Sequence, residues 1–135
     1  MSGPDPLITR LAVALAIGIL IGIERERSKA DAAAGVRTFT LVTLAGAISH
    51  LLGGDIAFVV IAVVVGTFVT VSYVRSVQSD PGLTTEVALI VAYLLGGLAM
   101  RDPGLAAALA VVVTIILASR TRVHNWIKHV LTDEE

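Results

Sequence analysis

One carboxylate stands within an apolar stretch of this sequence, at Glu86 in the segment GLTTEVALIV. A charge at the centre of a bilayer costs roughly 2.5 to 3.5 kcal/mol, so a carboxylate in such a place is paired, protonated or bound to a ligand. Thr85 beside it, and Glu24 at the end of another apolar stretch, offer further oxygen atoms. These three residues are the candidates for an ion or proton site. The structural alternative is that Glu86 interacts with the dipole of a helix capped by Thr84 or Thr85.

A second polar set brackets the charged linker between the first two apolar runs. Arg25 follows Glu24 where the first run ends, and Arg37 and Thr38 open the second. We expect a structural network of these side chains beside Glu86, because the ends of neighbouring spans lie at similar depth. The alternative is that the arginines only mark the edge of the lipid.

The elements that position these residues follow from composition. The chain of 135 residues is 56% hydrophobic and 16% charged, whereas a soluble domain is about 45 to 50% apolar and about 25% charged. The charges lie in short clusters between uncharged runs that are apolar on all sides, which is typical of membrane spans and loops. The sequence predicts an all-α polytopic membrane helix bundle. Its single membrane domain, 1–135, has five transmembrane helices, at about 7–23, 38–54, 56–74, 84–100 and 103–119.

Basic residues fall mostly on one side of the predicted bundle. Of the ten Lys and Arg residues, only Arg10 and Arg101 lie on the other side. The positive-inside rule therefore predicts the N-terminus outside and the C-terminus in the cytoplasm. The basic tail, 120–131, is amphipathic and is expected at the membrane interface, with His124 and His129 in an anchoring role.

The two outer turns are short. Gly53-Gly54-Asp55 and Arg101-Asp102-Pro103 predict tight helical hairpins, in which Asp caps or Pro opens the following helix. A shift of 47 residues aligns the two hairpins, by duplication or by chance. His50, near the first turn, is expected to be a hydrogen-bonded packing residue.

Small residues recur every four positions on two spans, which lets helix backbones approach closely. We expect internal packing for one of these faces and leave a homodimer open for the other. The residues are Ala14, Gly18 and Gly22 in span one, and Ala88, Ala92 and Gly96 in span four.

Several function classes are not indicated. The sequence has no cysteine for disulfides or thiolate metal sites. It shows no nucleophile constellation, phosphate-binding glycine loop, metal motif or basic nucleic-acid patch. We therefore expect no enzyme, no nucleic-acid partner and no cofactor other than a bound cation.

The stretch IGIERERSKADAAAGVRTFTLVTLAGAI resembles the signature of the MgtC/SapB family of prokaryotic inner-membrane proteins, GxxxGxERE followed after a short spacer by AGxRTxxLV. The fourth span departs from the family's usual GFLGAG-type segment and reads GLTTEVALIVAYLLGG. That variant resembles relatives in which a second multi-span domain follows. The matching residues are Gly18, Gly22, Glu24, Arg25, Glu26, Ala34, Gly35, Arg37, Thr38, Leu41 and Val42.

The resemblance implies a multi-pass protein of the cytoplasmic (inner) membrane with a link to magnesium homeostasis. Two functions stay open. The first is a transporter or channel with a cytoplasm-facing polar site around Glu86. The second is a non-transporting regulator that binds other membrane proteins. The expected partners are the lipid bilayer and either a second copy, as a homodimer, or a second multi-span domain.

Overall fold

The computed structural model describes residues 6–28, 34–76 and 84–134. The predicted all-α class is confirmed for these residues. They form four helices, of which the second is longer than any predicted span because it runs through the first predicted turn. The helices are α1 Pro6–Ser28, α2 Val36–Ser76, α3 Thr84–Ala99 and α4 Pro103–Glu134.

A glycine pair breaks α2 at the turn that the sequence predicts. Gly53 (φ −144°, ψ 17°) and Gly54 (φ 62°, ψ −143°) both leave helical geometry. The positive φ of Gly54 lies where a side chain would be strained, which accounts for glycine at this position. The chain folds back here, since Thr38 and Ser72 line one pocket, whereas an unbroken straight helix would hold them about 50 Å apart. Residues 36–52 and 55–76 are thus two antiparallel segments of α2.

The helices α1 and α3 form the middle of the bundle. Each contacts all the other helices, whereas α2 and α4 do not contact each other within the described residues. Ten of the 16 residues of α3 are buried, because neighbours surround this short helix. The segment 55–76 of α2 lies at the outside and buries little more than Val69.

Helix backbones approach closely where small residues lie at the contacts. A methyl group at Gly96 of α3 would collide with the carbonyl group of Thr43, and one at Gly18 of α1 would come too close to the backbone of Thr40. Both small-residue faces are therefore used for packing within the chain. The buried members are Ala14, Gly18, Gly22, Ala88, Ala92 and Gly96.

The second turn, residues 100–102, joins α3 to α4. The backbone N–H of Leu105 donates to Oδ1 of Asp102 at 3.1 Å, and Pro103 opens α4. Asp102 is thus the N-cap and Pro103 the first helical residue, as the sequence predicts. The helix continues to Glu134, so the predicted tail at 120–131 is the last part of α4 and not a separate element. The side chains of His124 and His129 lie outside the described part.

Two helices, Pro6–Ser28 and Val36–Arg75, are long and apolar enough to cross a membrane, and Thr84–Ala99 and Pro103–Ser119 are shorter apolar helices. Large apolar side chains cover the outside of the bundle, with Leu52 80%, Ile56 79% and Phe68 73% exposed. Soluble monomers rarely expose apolar surface on this scale, which marks a membrane or protein contact.

Candidate functional site

Buried charged side chains gather at one end of the bundle, where α1 ends and α3 begins. In the described part of the chain they are Glu24, Arg25 and Glu86, whose exposed fractions are 8%, 5% and 7%. Nη1 of Arg25 donates to the hydroxyl of Thr85 at 3.5 Å, across 60 positions of sequence. Arg25 directly follows Glu24 in the sequence, and Thr85 directly precedes Glu86. The fold therefore brings Glu24, Arg25, Thr85 and Glu86 to the same end.

A pocket of about 250 Å³ lies between α2 and α3, and Glu86 lines it. Its other polar lining residues are Thr38 and Ser72, and the rest are apolar: Ala34, Val42, Val65, Phe68, Val69 and Leu89. The buried Oε2 of Glu86 has no hydrogen-bond partner among the described residues. Buried polar atoms nearly always have one, so this oxygen calls for a proton, a water molecule or a cation.

The structural alternative for Glu86 accounts for only part of this arrangement. The residue lies in the first turn of α3, where the helix dipole stabilises a negative charge by about 0.3 to 1 kcal/mol. Removing an ion from water costs several kcal/mol even after the surrounding protein relaxes. The dipole therefore does not offset the burial of this carboxylate.

Glu24 has a different environment. Its carboxylate accepts a hydrogen bond from the hydroxyl of Ser28, one turn later in α1. It is absent from the lining of the Glu86 pocket. Its neighbour Glu26 is exposed and accepts the backbone N–H of Val36 at 3.3 Å, where a carboxylate stabilises the start of α2. Glu24 thus belongs to the polar cluster but not to the pocket.

The structure divides the expected polar network. Arg37 is exposed and makes no hydrogen bond or ion pair with any residue that the structure describes. The reason is its position on α2, where Phe39 and Thr43 face the core and Arg37 shares the outer face with Leu41. Thr38 lines the Glu86 pocket. Of the two residues predicted at the start of the second apolar run, only Thr38 thus lines the pocket.

A second polar cluster lies at the opposite end, where the two turns meet. Arg101 donates Nη2 to Oδ1 of Asp55, and Nε to Nε2 of His50 at 3.1 Å. The three side chains line a pocket of about 290 Å³. His50 is therefore hydrogen-bonded, but to an arginine that the sequence analysis did not associate with it. A signal for this contact was available in the sequence. Asp55 and Arg101 carry opposite charges and lie in the two turns that were predicted on the same side of the membrane.

Tyr93 links α3 to both segments of α2 and was not among the residues predicted from the sequence. Its hydroxyl donates to the carbonyl of Phe58 at 2.7 Å and lies 3.0 Å from Oγ of Ser49. The rings of Tyr93 and Phe58 stack with centroids 4.8 Å apart. A tyrosine within an apolar helix was the available signal, because a buried phenol usually has a hydrogen-bond partner.

The polar end does not form a metal site of protein ligands alone. Over residues 6–28, 34–76 and 84–134, no group of three or more His, Asp or Glu side chains could hold a metal ion. Any cation at Glu86 would therefore take its remaining ligands from hydroxyl groups or water.

Comparison with known proteins gives one match. The sequence model of the MgtC family matches residues 11–126, which include both polar clusters. No curated protein and no solved structure matches the chain significantly.

Proposed function

The chain is a membrane protein of the MgtC family, and we propose that it is linked to magnesium homeostasis and that it passes an ion through the Glu86 pocket, as a transporter or channel. The observation that carries this proposal is the buried Oε2 of Glu86, which has no hydrogen-bond partner among the described residues and belongs to a residue lining a pocket. Ionisable residues within membrane spans are rare, and they commonly mark ion pathways or proton relays.

The proposal includes five spans in the cytoplasmic (inner) membrane, with the N-terminus outside and the Glu86 end facing the cytoplasm. The fold-back at Gly53–Gly54 supports the count, because it gives α2 the shape of two crossings. Helix α3 has 16 residues and a length of about 24 Å, less than the ~30 Å of hydrocarbon. A helix of this length can still span the membrane, because α3 is surrounded by the other helices and little of its backbone faces lipid.

Ion flux in liposomes tests the proposal. Purified protein is reconstituted, and uptake of Mg²⁺, Na⁺, K⁺ and H⁺ is compared with empty vesicles. We expect flux of at least one ion, lowered about tenfold or more by Glu86→Gln, because an essential ligand or proton acceptor is lost. Glu26→Gln is the matched control, since Glu26 is an exposed carboxylate at the same end. Wild-type vesicles no better than empty ones reject transport, and equal flux in wild type and Glu86→Gln rejects the site.

A second function, a non-transporting regulator, draws support from the outer surface of residues 55–76. Ile56, Val63 and Phe68 are 79%, 65% and 73% exposed, and this surface suits another membrane protein or a second copy as well as lipid. A photo-crosslinker at Val63, which does not line the Glu86 pocket, is compared with one at Ile116, which is 60% exposed on α4. Protein adducts at Val63 alone, together with absent ion flux, support the regulator. Lipid adducts alone at both positions contradict it.

A further inference from the structure

We infer that the Glu86 pocket takes one monovalent cation in competition with a proton, and does not take Mg²⁺; the inference rests on the proposed ion-handling function. It deepens that function by assigning the charge of the ligand.

The net charge of the buried cluster can be neutralised by one additional positive charge. Its members in the described part of the chain are two carboxylates, Glu24 and Glu86, and one guanidinium, Arg25. With all three ionised the cluster carries a charge of −1, which a proton or a monovalent cation neutralises. A divalent ion leaves an uncompensated positive charge, and such a charge costs several kcal/mol away from water.

The pocket also offers few polar groups to a hydrated divalent ion. Mg²⁺ usually keeps several of its water molecules when it binds to one or two carboxylates, and these waters need hydrogen-bond acceptors around them. The polar lining consists of the Glu86 carboxylate and the hydroxyl groups of Thr38 and Ser72, among apolar side chains. Neutral oxygen atoms can replace the hydration shell of a monovalent ion, as backbone carbonyls do for K⁺ in channel filters. Two hydroxyls and one carboxylate, completed by water, therefore suit a monovalent ion better.

Competition with a proton follows from the single charge. When a cation M⁺ enters, protonated Glu86 releases its proton, and the products are the carboxylate–M⁺ pair and one H⁺; the charge of the pocket does not change. In the described part of the chain, the other charged groups at this end are the buried Glu24 and Arg25 and a set of exposed residues. The exposed residues are Glu26 and Arg27 on α1 and Arg37 and Arg75 on α2. Solvent screens the exposed groups, so the buried cluster sets the balance.

Carbodiimide labelling tests this inference. Dicyclohexylcarbodiimide modifies protonated carboxyl groups in apolar sites, and mass spectrometry locates the adduct in the full-length purified protein. We expect labelling at Glu86, lost in Glu86→Gln and kept in Glu26→Gln. Na⁺, K⁺ or Li⁺ should protect Glu86 from labelling. The cation concentration that gives half protection should rise by up to about tenfold for each unit by which the pH is lowered, because one cation exchanges for one proton. Thr38→Val and Ser72→Ala should each raise that concentration.

Three results would overturn the inference. The first is protection by Mg²⁺ at a lower concentration than by any of the monovalent ions, at equal ionic strength. The second is protection by Na⁺, K⁺ and Li⁺ no better than by choline. The third is the absence of Glu86 labelling at every pH. Protection by Mg²⁺ leaves the proposed ion handling intact, whereas absent flux in liposomes rejects transport and leaves this binding result standing.

Discussion

Arg25, near the end of α1, donates a hydrogen bond to Thr85, at the start of α3, with Nη1 3.5 Å from Oγ1. Both residues are buried, and Thr85 directly precedes Glu86. The beginning of α3, and with it the position of Glu86, is therefore fixed in part by a residue of α1. The candidate site is a property of three helices and not of one motif.

Loss of the Arg25 guanidinium should destabilise the bundle. Arg25→Met removes a hydrogen bond from a charged donor and leaves two buried carboxylates without the cation, so we expect a loss of about 2 to 3 kcal/mol. Arg37→Ala and Arg27→Ala should each change stability by less than about 0.5 kcal/mol, because both residues are exposed. Thermal unfolding in detergent measures all three variants.

From the sequence alone, Arg37→Ala is expected to damage folding or insertion more than Arg27→Ala, because Arg37 is predicted to belong to the polar network. The outward position of Arg37 removes that reason, and we now expect the two variants to behave alike. If Arg37→Ala proves as harmful as Arg25→Met, the polar cluster described above is incomplete.

A methyl group at Gly96 should disrupt the contact between α3 and α2. Gly96→Ala places the methyl against the carbonyl of Thr43, and overpacking of this kind costs about 1 to 3 kcal/mol. Gly66→Ala is the matched control on α2, since the added methyl has no described heavy atom within 4 Å apart from its chain neighbours and the nearby backbone of its own helix. It should be neutral or stabilising by up to about 1 kcal/mol. Equal melting temperatures for the two variants would show that the helices are not in contact at Gly96.

The hydroxyl of Tyr93 should contribute to stability but not to ligand binding. Tyr93→Phe keeps the ring stacked on Phe58 and removes the hydrogen bond from the tyrosine hydroxyl to the Phe58 carbonyl, so we expect a loss of about 1 kcal/mol. Thr67→Val is the control, because its exposed hydroxyl only donates to the carbonyl of Val63 in its own helix. Cation protection of Glu86 should be unchanged in Tyr93→Phe. A change in protection would mean that Tyr93 also shapes the pocket.

Single cysteines can establish the orientation, because the chain has none of its own. The exposed positions Asp55 and Asp102 lie at the turns, and the exposed Arg27 and Arg75 lie at the Glu86 end. A membrane-impermeant maleimide applied to intact cells should label Asp55→Cys and Asp102→Cys, and should label Arg27→Cys and Arg75→Cys only after permeabilisation. Labelling of one turn without the other would contradict the five spans, and the reverse pattern would invert the orientation.

Local signals in the sequence predict both turns and most of the helical residues of this protein. The Gly53-Gly54 break and the Asp102-Pro103 start of α4 were predictable, because turn geometry and helix capping depend on a few adjacent residues. The apolar runs likewise predict helices. The continuous α4 was not predicted, because a change from apolar to basic residues at 120 looks like an element boundary although the helical backbone runs through it.

Contacts between helices required the tertiary structure. A run that is apolar on all sides has no polar stripe to indicate how the helix is rotated about its axis. Nothing in the sequence around residue 37 therefore distinguishes a buried Arg37 from an exposed one, or shows that His50 meets Arg101. The sequence by itself determines that Glu86 is a carboxylate near the start of an apolar helix. Only the packing of α2 against α3 decides that Thr38 and Ser72 line its pocket, because that contact depends on helix rotation and on the close approach at Gly96.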